Sequence, residues 1–133
     1  MTLSEAFYAF LASAVASTAA AGKVHPVAGA PKQAAMPRVT YQRVGGNREA
    51  LVGGGTATHG RARYQVTAWA ATQAVAEAVA AAVMAAARTM PQASPILAID
   101  IETGPYDVPR EEEGRETMVA GVAIDVGITH KEH

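Results

Sequence analysis

Four stretches of the chain alternate apolar and polar residues, and two others repeat apolar residues every third or fourth position. The first alternating run, Arg38-Val39-Thr40-Tyr41-Gln42-Arg43-Val44, predicts a strand with Val39, Tyr41 and Arg43 on one side. The second, about Arg61–Ala70, sets Ala62, Tyr64, Val66 and Ala68 against Arg61, Arg63, Gln65, Thr67 and Trp69. The third, Ile96–Thr103, places Leu97, Ile99 and Ile101 opposite Asp100 and Glu102. The fourth runs from Thr117 to about Thr129. It turns Met118, Ala120, Val122, Ile124, Val126 and Ile128 inward and Gly121, Ala123, Asp125 and Gly127 outward.

The helical signals are equally local. Thr2-Leu3-Ser4-Glu5 matches a capping box. Leu3, Phe7, Leu11 and Val15 follow at four-residue spacing with Phe10 and Ala14 beside them, predicting a helix from Leu3 to about Ala20 that Gly22 stops. A second helix starts near Thr72 as N-cap and buries Val75, Val79 and Val83. Arg88 suits the negative pole of its dipole, and Pro91 bars its continuation. Val24–Pro37, with three prolines, reads as irregular, and Gly104-Pro105-Tyr106-Asp107 as a turn. The order is helix, strand, strand, helix, strand, strand. It implies a single α+β domain over residues 1–133, a mainly antiparallel sheet packed against two helices, with long loops at 45–60 and 104–116.

The first of those loops is longer than a connection requires. Two residues suffice to join antiparallel strands, yet roughly sixteen lie between the first two runs, among them Gly45, Gly46, Gly53, Gly54, Gly55 and Gly60. Connections of that length in compact domains are usually functional or disordered.

Composition adds a constraint. Half the residues are apolar, but 31 are Ala and only seven aromatic, so little area is buried per residue. The hydrophobic gain scales at roughly 25 cal/mol per Å², which predicts a modestly stable monomer that gains from burial between subunits. Charge is lopsided: up to Val66 there are seven Lys/Arg against two Asp/Glu, and from Thr67 onward four against ten. If sequence halves become spatial halves, identical subunits can pack basic edge to acidic edge.

Other chemistry is thin. There is no Cys, which excludes disulfides and thiol catalysis. The apolar stretch from Phe10 to Gly22 follows an acidic, base-free start and reads as a helix rather than a cleaved signal. No run reaches transmembrane length, so no membrane partner is expected. Gly53-Gly54-Gly55 lacks the Lys and following helix of a phosphate loop. Asp100, Glu102 and Asp125 read as the wet face of a half-exposed sheet paired with Arg61 or Arg63, rather than an acid–base pair. His25 and His59 stand alone, and His130 and His133 are too few for a closed metal site. No catalytic, cofactor-binding or metal residue is therefore assigned, and the protein is read as a non-enzyme. Arg38, Arg43, Arg48, Arg61 and Arg63, near Tyr41, Tyr64 and Trp69, have the composition of a nucleic-acid surface, or equally of a surface for protein carboxylates. The acidic second half argues against broad DNA binding.

The element order, together with PRVTYQRVGGNRE, THGRARYQVTAWA and the Ala-rich helix after it, resembles the tail-completion proteins of tailed phages and prophages, the lambda-like tail terminator group. LSEAFYAFLA, VHPVAGAPKQAAMPRVTYQ and AVAEAVAAAVMAAA extend the resemblance over nearly the whole chain. Gene-transfer-agent particles carry similar proteins. The resemblance implies a small α+β sandwich assembling into a hexameric ring that caps the tail tube and meets the head connector. It implies no cofactor, no specific nucleic acid and a place at the head-proximal end of the virion tail, with assembly in the bacterial host cytoplasm. On that reading the 45–60 loop becomes ordered on docking, and the contact residues toward tube, connector or adjacent subunit are Arg43, Arg48, Glu49, His59, Arg61, Arg63, Trp69, Glu111, Glu112 and Glu113. The acidic run Glu111–Glu113 would face a basic neighbour, such as the next subunit's Arg61 or Arg63. A neck or head-completion protein and a small nucleic-acid-binding module stand as the alternatives.

Overall fold

Thr2 opens the first helix as the sequence predicts. Its hydroxyl accepts from Glu5 N and the Glu5 carboxylate accepts from Thr2 N, both at 3.1 Å. The computed structural model describes residues 2–27, 36–48, 59–89, 95–108 and 120–131. Helix α1 spans Leu3–Ala14 and turns Ala6, Phe7, Phe10, Leu11 and Ala14 into the core. It ends six residues before the expected stop at Ala20. Past Ala14 the backbone tightens to three-residue bonds: Ala16 N donates to Ser13 O at 3.3 Å and Thr18 N to Val15 O at 2.9 Å, and the Thr18 hydroxyl bonds the same Val15 carbonyl at 2.7 Å. Turns then lead to Gly22, whose φ of 74° is a conformation glycine adopts without strain.

The segment expected to be irregular contains a strand. β1, Val24–Pro26, runs parallel to β2, Arg38–Arg48, with Val24 opposite Val39 and Pro26 opposite Tyr41. Proline is tolerated there because β1 lies at the sheet margin. β3 is His59–Ala70, α2 is Gln73–Thr89, β4 is Ile96–Val108 and β5 is Ala120–Lys131. The observed order is thus helix, three strands, helix, two strands, and the five-stranded sheet is mixed, arranged β1-β2-β3-β5-β4. Only the β1–β2 pair is parallel.

Both expected loops begin later than the pattern suggests, and the expected strand start from Thr117 to Val119, with Met118, lies outside the described residues. Beyond a bulge between Arg43 and Gly45, the β2–β3 ladder continues through Gly45↔Arg63, Gly46↔Ala62, Asn47↔Arg61 and Arg48↔Gly60. Glycine pairs do not show as alternation, so the strand ends were hidden. Gly104–Val108 likewise belongs to β4 rather than a turn, because Tyr106, Asp107 and Val108 pair with Ala123, Val122 and Gly121. The register slips around Gly104 and Pro105 and again near Leu97 and Glu102. The slip at Leu97 turns that side chain outward, and Ile96 and Ile99 are buried in its place.

The helices cover one face of the sheet. Phe7 of α1 packs tilted against Tyr64 at 4.4 Å and meets Tyr41 edge-on at 5.8 Å between ring centres. The Thr72 hydroxyl accepts from Val75 N at 3.3 Å, in the capping role expected of it. α2 packs on β3, β4 and β5 through Ala76, Val79, Ala80, Val83 and Ala86, while Val75 points to solvent. The buried stripe is rotated by one residue from a Val75-Val79-Val83 line, because Ala on every side leaves the pattern little power to set the angle.

Candidate interaction surface

The face of the sheet away from the helices is built by the residues that alternate with the core. β3 contributes Arg61, Arg63, Gln65, Thr67 and Trp69, and register places Gln42 beside Gln65 and Asp125 beyond it on β5. At one end Arg61 Nη2 and Arg63 Nε donate to the two oxygens of Glu102, each at 2.8 Å, and Arg61 Nη1 lies 3.5 Å from Asp100 Oδ2. The Arg61 hydrogen bond, followed by that of Arg63, holds the Glu102 carboxyl below the usual range. In the middle, Gln42 Nε2 donates to Gln65 Oε1 (2.9 Å), Gln65 Nε2 to the Tyr106 hydroxyl (3.0 Å), and that hydroxyl to Asp125 Oδ1 (2.9 Å). Burial pushes the Tyr106 hydroxyl above its ordinary value; the bond to Asp125 adds to this and the bond from Gln65 opposes it. At the far end Trp69 Nε1 donates to Thr40 Oγ1 at 3.0 Å.

β5 is the floor beneath this polar ladder, and its glycines set the fit. A Cβ on Gly121 would stand 2.7 Å from Trp69 Cζ3, so the indole lies flat on bare backbone. A Cβ on Gly127 would collide with the Arg61 guanidinium and with Glu102 Oε1. The surface therefore runs from an ion-paired end to an aromatic end, with its polar groups satisfied between.

The expected contact residues divide into four groups. Arg61, Arg63 and Trp69 come together on this face, and the two arginines are engaged by Asp100 and Glu102 of the same chain, as the pattern of outward carboxylates suggested. Arg43 is exposed and lies opposite Tyr64, on the helix side of the sheet, apart from them. Arg48 and His59 hold strand positions near the end of the β2–β3 ladder, opposite Gly60 and Lys131 respectively. Glu49, Glu111, Glu112 and Glu113 lie outside the described residues. Tyr106, which ties β4 into the ladder, was missed because Gly-Pro-Tyr-Asp is turn chemistry in isolation.

A second feature lies at the β4 margin. A groove of about 290 Å³ between α2, β4 and β5 is lined by Glu77, Ala81, Met84, Pro105, Asp107 and Val122. Gln73 Nε2 bridges its two carboxylates, donating to Asp107 Oδ1 at 2.7 Å and Glu77 Oε1 at 3.2 Å. Among the described residues no cluster of three His, Asp or Glu is placed to hold a metal, and no helix is long and apolar enough to cross a membrane.

The fold has counterparts of known structure. One solved chain superposes with a TM-score of 0.57 over 98% of this chain and 94% of its own length; at 17% identity that likeness speaks to fold alone. No curated protein matches the sequence. The family model for tail completion protein gp17, however, matches residues 5–125, from the first turn of α1 to the middle of β5. The chain therefore belongs to the tail completion protein gp17 family, structural proteins of the phage tail, and its work lies in tail assembly within the virion.

Proposed function

We propose that this protein forms a ring, a hexamer, that terminates the tail tube and joins the tail to the head connector in a phage, prophage or gene-transfer-agent particle. The observation that supports this reading is the distribution of charge across the sheet. β2 carries Arg38, Arg43 and Arg48 and no acid, whereas β4 carries Asp100, Glu102 and Asp107 and no base. The asymmetry between sequence halves thus persists as one between β2, flanked only by the short β1, and the marginal β4, where Arg61 and Arg63 of β3 engage Asp100 and Glu102 and leave Asp107 without a basic partner among the described residues. Patches that differ in this way meet head to tail, and head-to-tail contacts close into rings when the rotation permits. The face carrying Arg61, Arg63 and Trp69 and the end of the β2–β3 hairpin serve as contacts toward the tube protein and the connector. Assembly takes place in the host cytoplasm, and the finished ring sits at the head-proximal end of the tail.

Electron microscopy of particles made without the protein tests the role. Overlong tails free of heads are the expected result. Detached tails of normal length would assign it to head–tail joining alone, and normal particles would overturn the proposal.

A further inference from the structure

The groove beside β4 is an acidic site with no cation among the described residues. Arg61 and Arg63 are engaged by Asp100 and Glu102. Asp107 and Glu77 share instead the neutral amide of Gln73, and no Lys or Arg among the described residues pairs with either. The remaining walls, Ala81, Met84, Pro105 and Val122, are apolar. An apolar trough ending in two carboxylates matches a methylene stem ending in a guanidinium. Arginine buries its stem along apolar surface while its planar head takes carboxylate oxygens.

Arg43 has that chemistry and the right placement. It is exposed, lies on the helix side of β2, and stands just before the bulge that precedes Gly45. The groove, walled by α2, opens on the same side at the opposite margin. β3 and β5 lie between β2 and β4, which at about 4.8 Å per strand spacing is on the order of 14 Å across the strands, and register sets Arg43 level with Val126 but Asp107 level with Val122, roughly another 13 Å along β5. Arg43 therefore meets such a groove on another copy. The adjoining stretch of β2, Gln42–Arg48, extends past the three residues of β1 and has no strand on its outer side among the described residues. A neighbour can approach it closely.

We infer that Arg43 of one copy enters the Glu77–Asp107 groove of the next, forming the head-to-tail contact of the ring; this rests on the ring reading above. The test uses the full chain and the variants Arg43→Glu, Asp107→Arg and the two combined. Assembly is read by sedimentation velocity and by electron microscopy of tail tubes incubated with each protein. Both side chains are exposed, so all variants are expected to keep the wild-type circular dichroism spectrum. Each single variant should lose at least tenfold in assembly, and the combined variant should recover most of that loss. Single variants that assemble like the wild type, or a combined variant that recovers nothing, would overturn the contact and leave the ring standing. Wild-type protein that neither self-associates nor caps tubes would overturn the ring, and the contact with it.

Discussion

Single residues on β5 decide whether its outer face can be roofed by neighbouring side chains. Gly121→Ala puts a methyl group into the Trp69 ring, whose indole is fixed by its bond to Thr40. Overpacking of this kind typically costs about 1–3 kcal/mol. Denaturant unfolding should report the loss, and emission from Trp69, the single tryptophan, should shift as the ring lifts. Glu102 gives a pH signature. Its folded pKa lies below the ordinary 4.5 because Arg61 and then Arg63 hold the carboxylate. The stabilisation is therefore complete above the unfolded value and disappears as pH falls through the folded one. Solvent still reaches and screens these side chains, so the worth of the pairing stays on the order of 1 kcal/mol. Glu102→Gln should remove that component from the acid limb of a stability–pH curve and leave the rest unchanged. The partnership of Arg61 and Arg63 with Asp100 and Glu102 was legible from outward positions on predicted strands. The Gln42–Gln65–Tyr106–Asp125 relay was not, since it depends on a register slip that carries Tyr106 past two residues with no partner on β5.

At the level of elements, alternation located four strands and the spacing of Phe7, Leu11, Val79 and Val83 located both helices. The misses share a cause: wherever Ala, Gly or Pro dominates, side-chain pattern carries no directional information. That applies to the angle of α2, to the ladder through Gly45 and Gly46, and to the short β1 ending in Pro26. The angle of α2 is open to direct measurement. Val79→Ala removes buried methyl groups and should cost about 2 kcal/mol, whereas Val75→Ala, at a position 38% exposed, should stay within about 0.5 kcal/mol in thermal or chemical unfolding. The β2–β3 hairpin invites a cut placed by the observed register. Replacing residues 49–58 with a two-residue turn keeps every described strand pair. The variant should fold like the wild type and fail to join tails to heads in a complementation assay; normal joining would remove the hairpin end from the contact surface.

For the whole molecule, the ordering of strands matters more than net charge. A formal charge of −1 conceals a sheet that is basic along β2 and acidic along β4. Assembly through those margins should weaken steeply with salt, since the screening length shrinks to about 3 Å at 1 M; sedimentation across a salt series checks this, and an indifferent profile would point to apolar burial instead. The β4 margin also bears on what the molecule avoids. Its hydrogen-bond register is broken at three places, one of them holding Pro105. A border interrupted that often offers no continuous template onto which an incoming backbone can zip. Copies that meet at that border are thereby steered away from endless fibrous stacking. Between Thr103↔Asp125 and Tyr106↔Ala123, β4 exceeds β5 by one residue; excising Pro105 alone would straighten the border there and keep Tyr106 on its face, and the variant should aggregate more readily than the wild type in a turbidity assay.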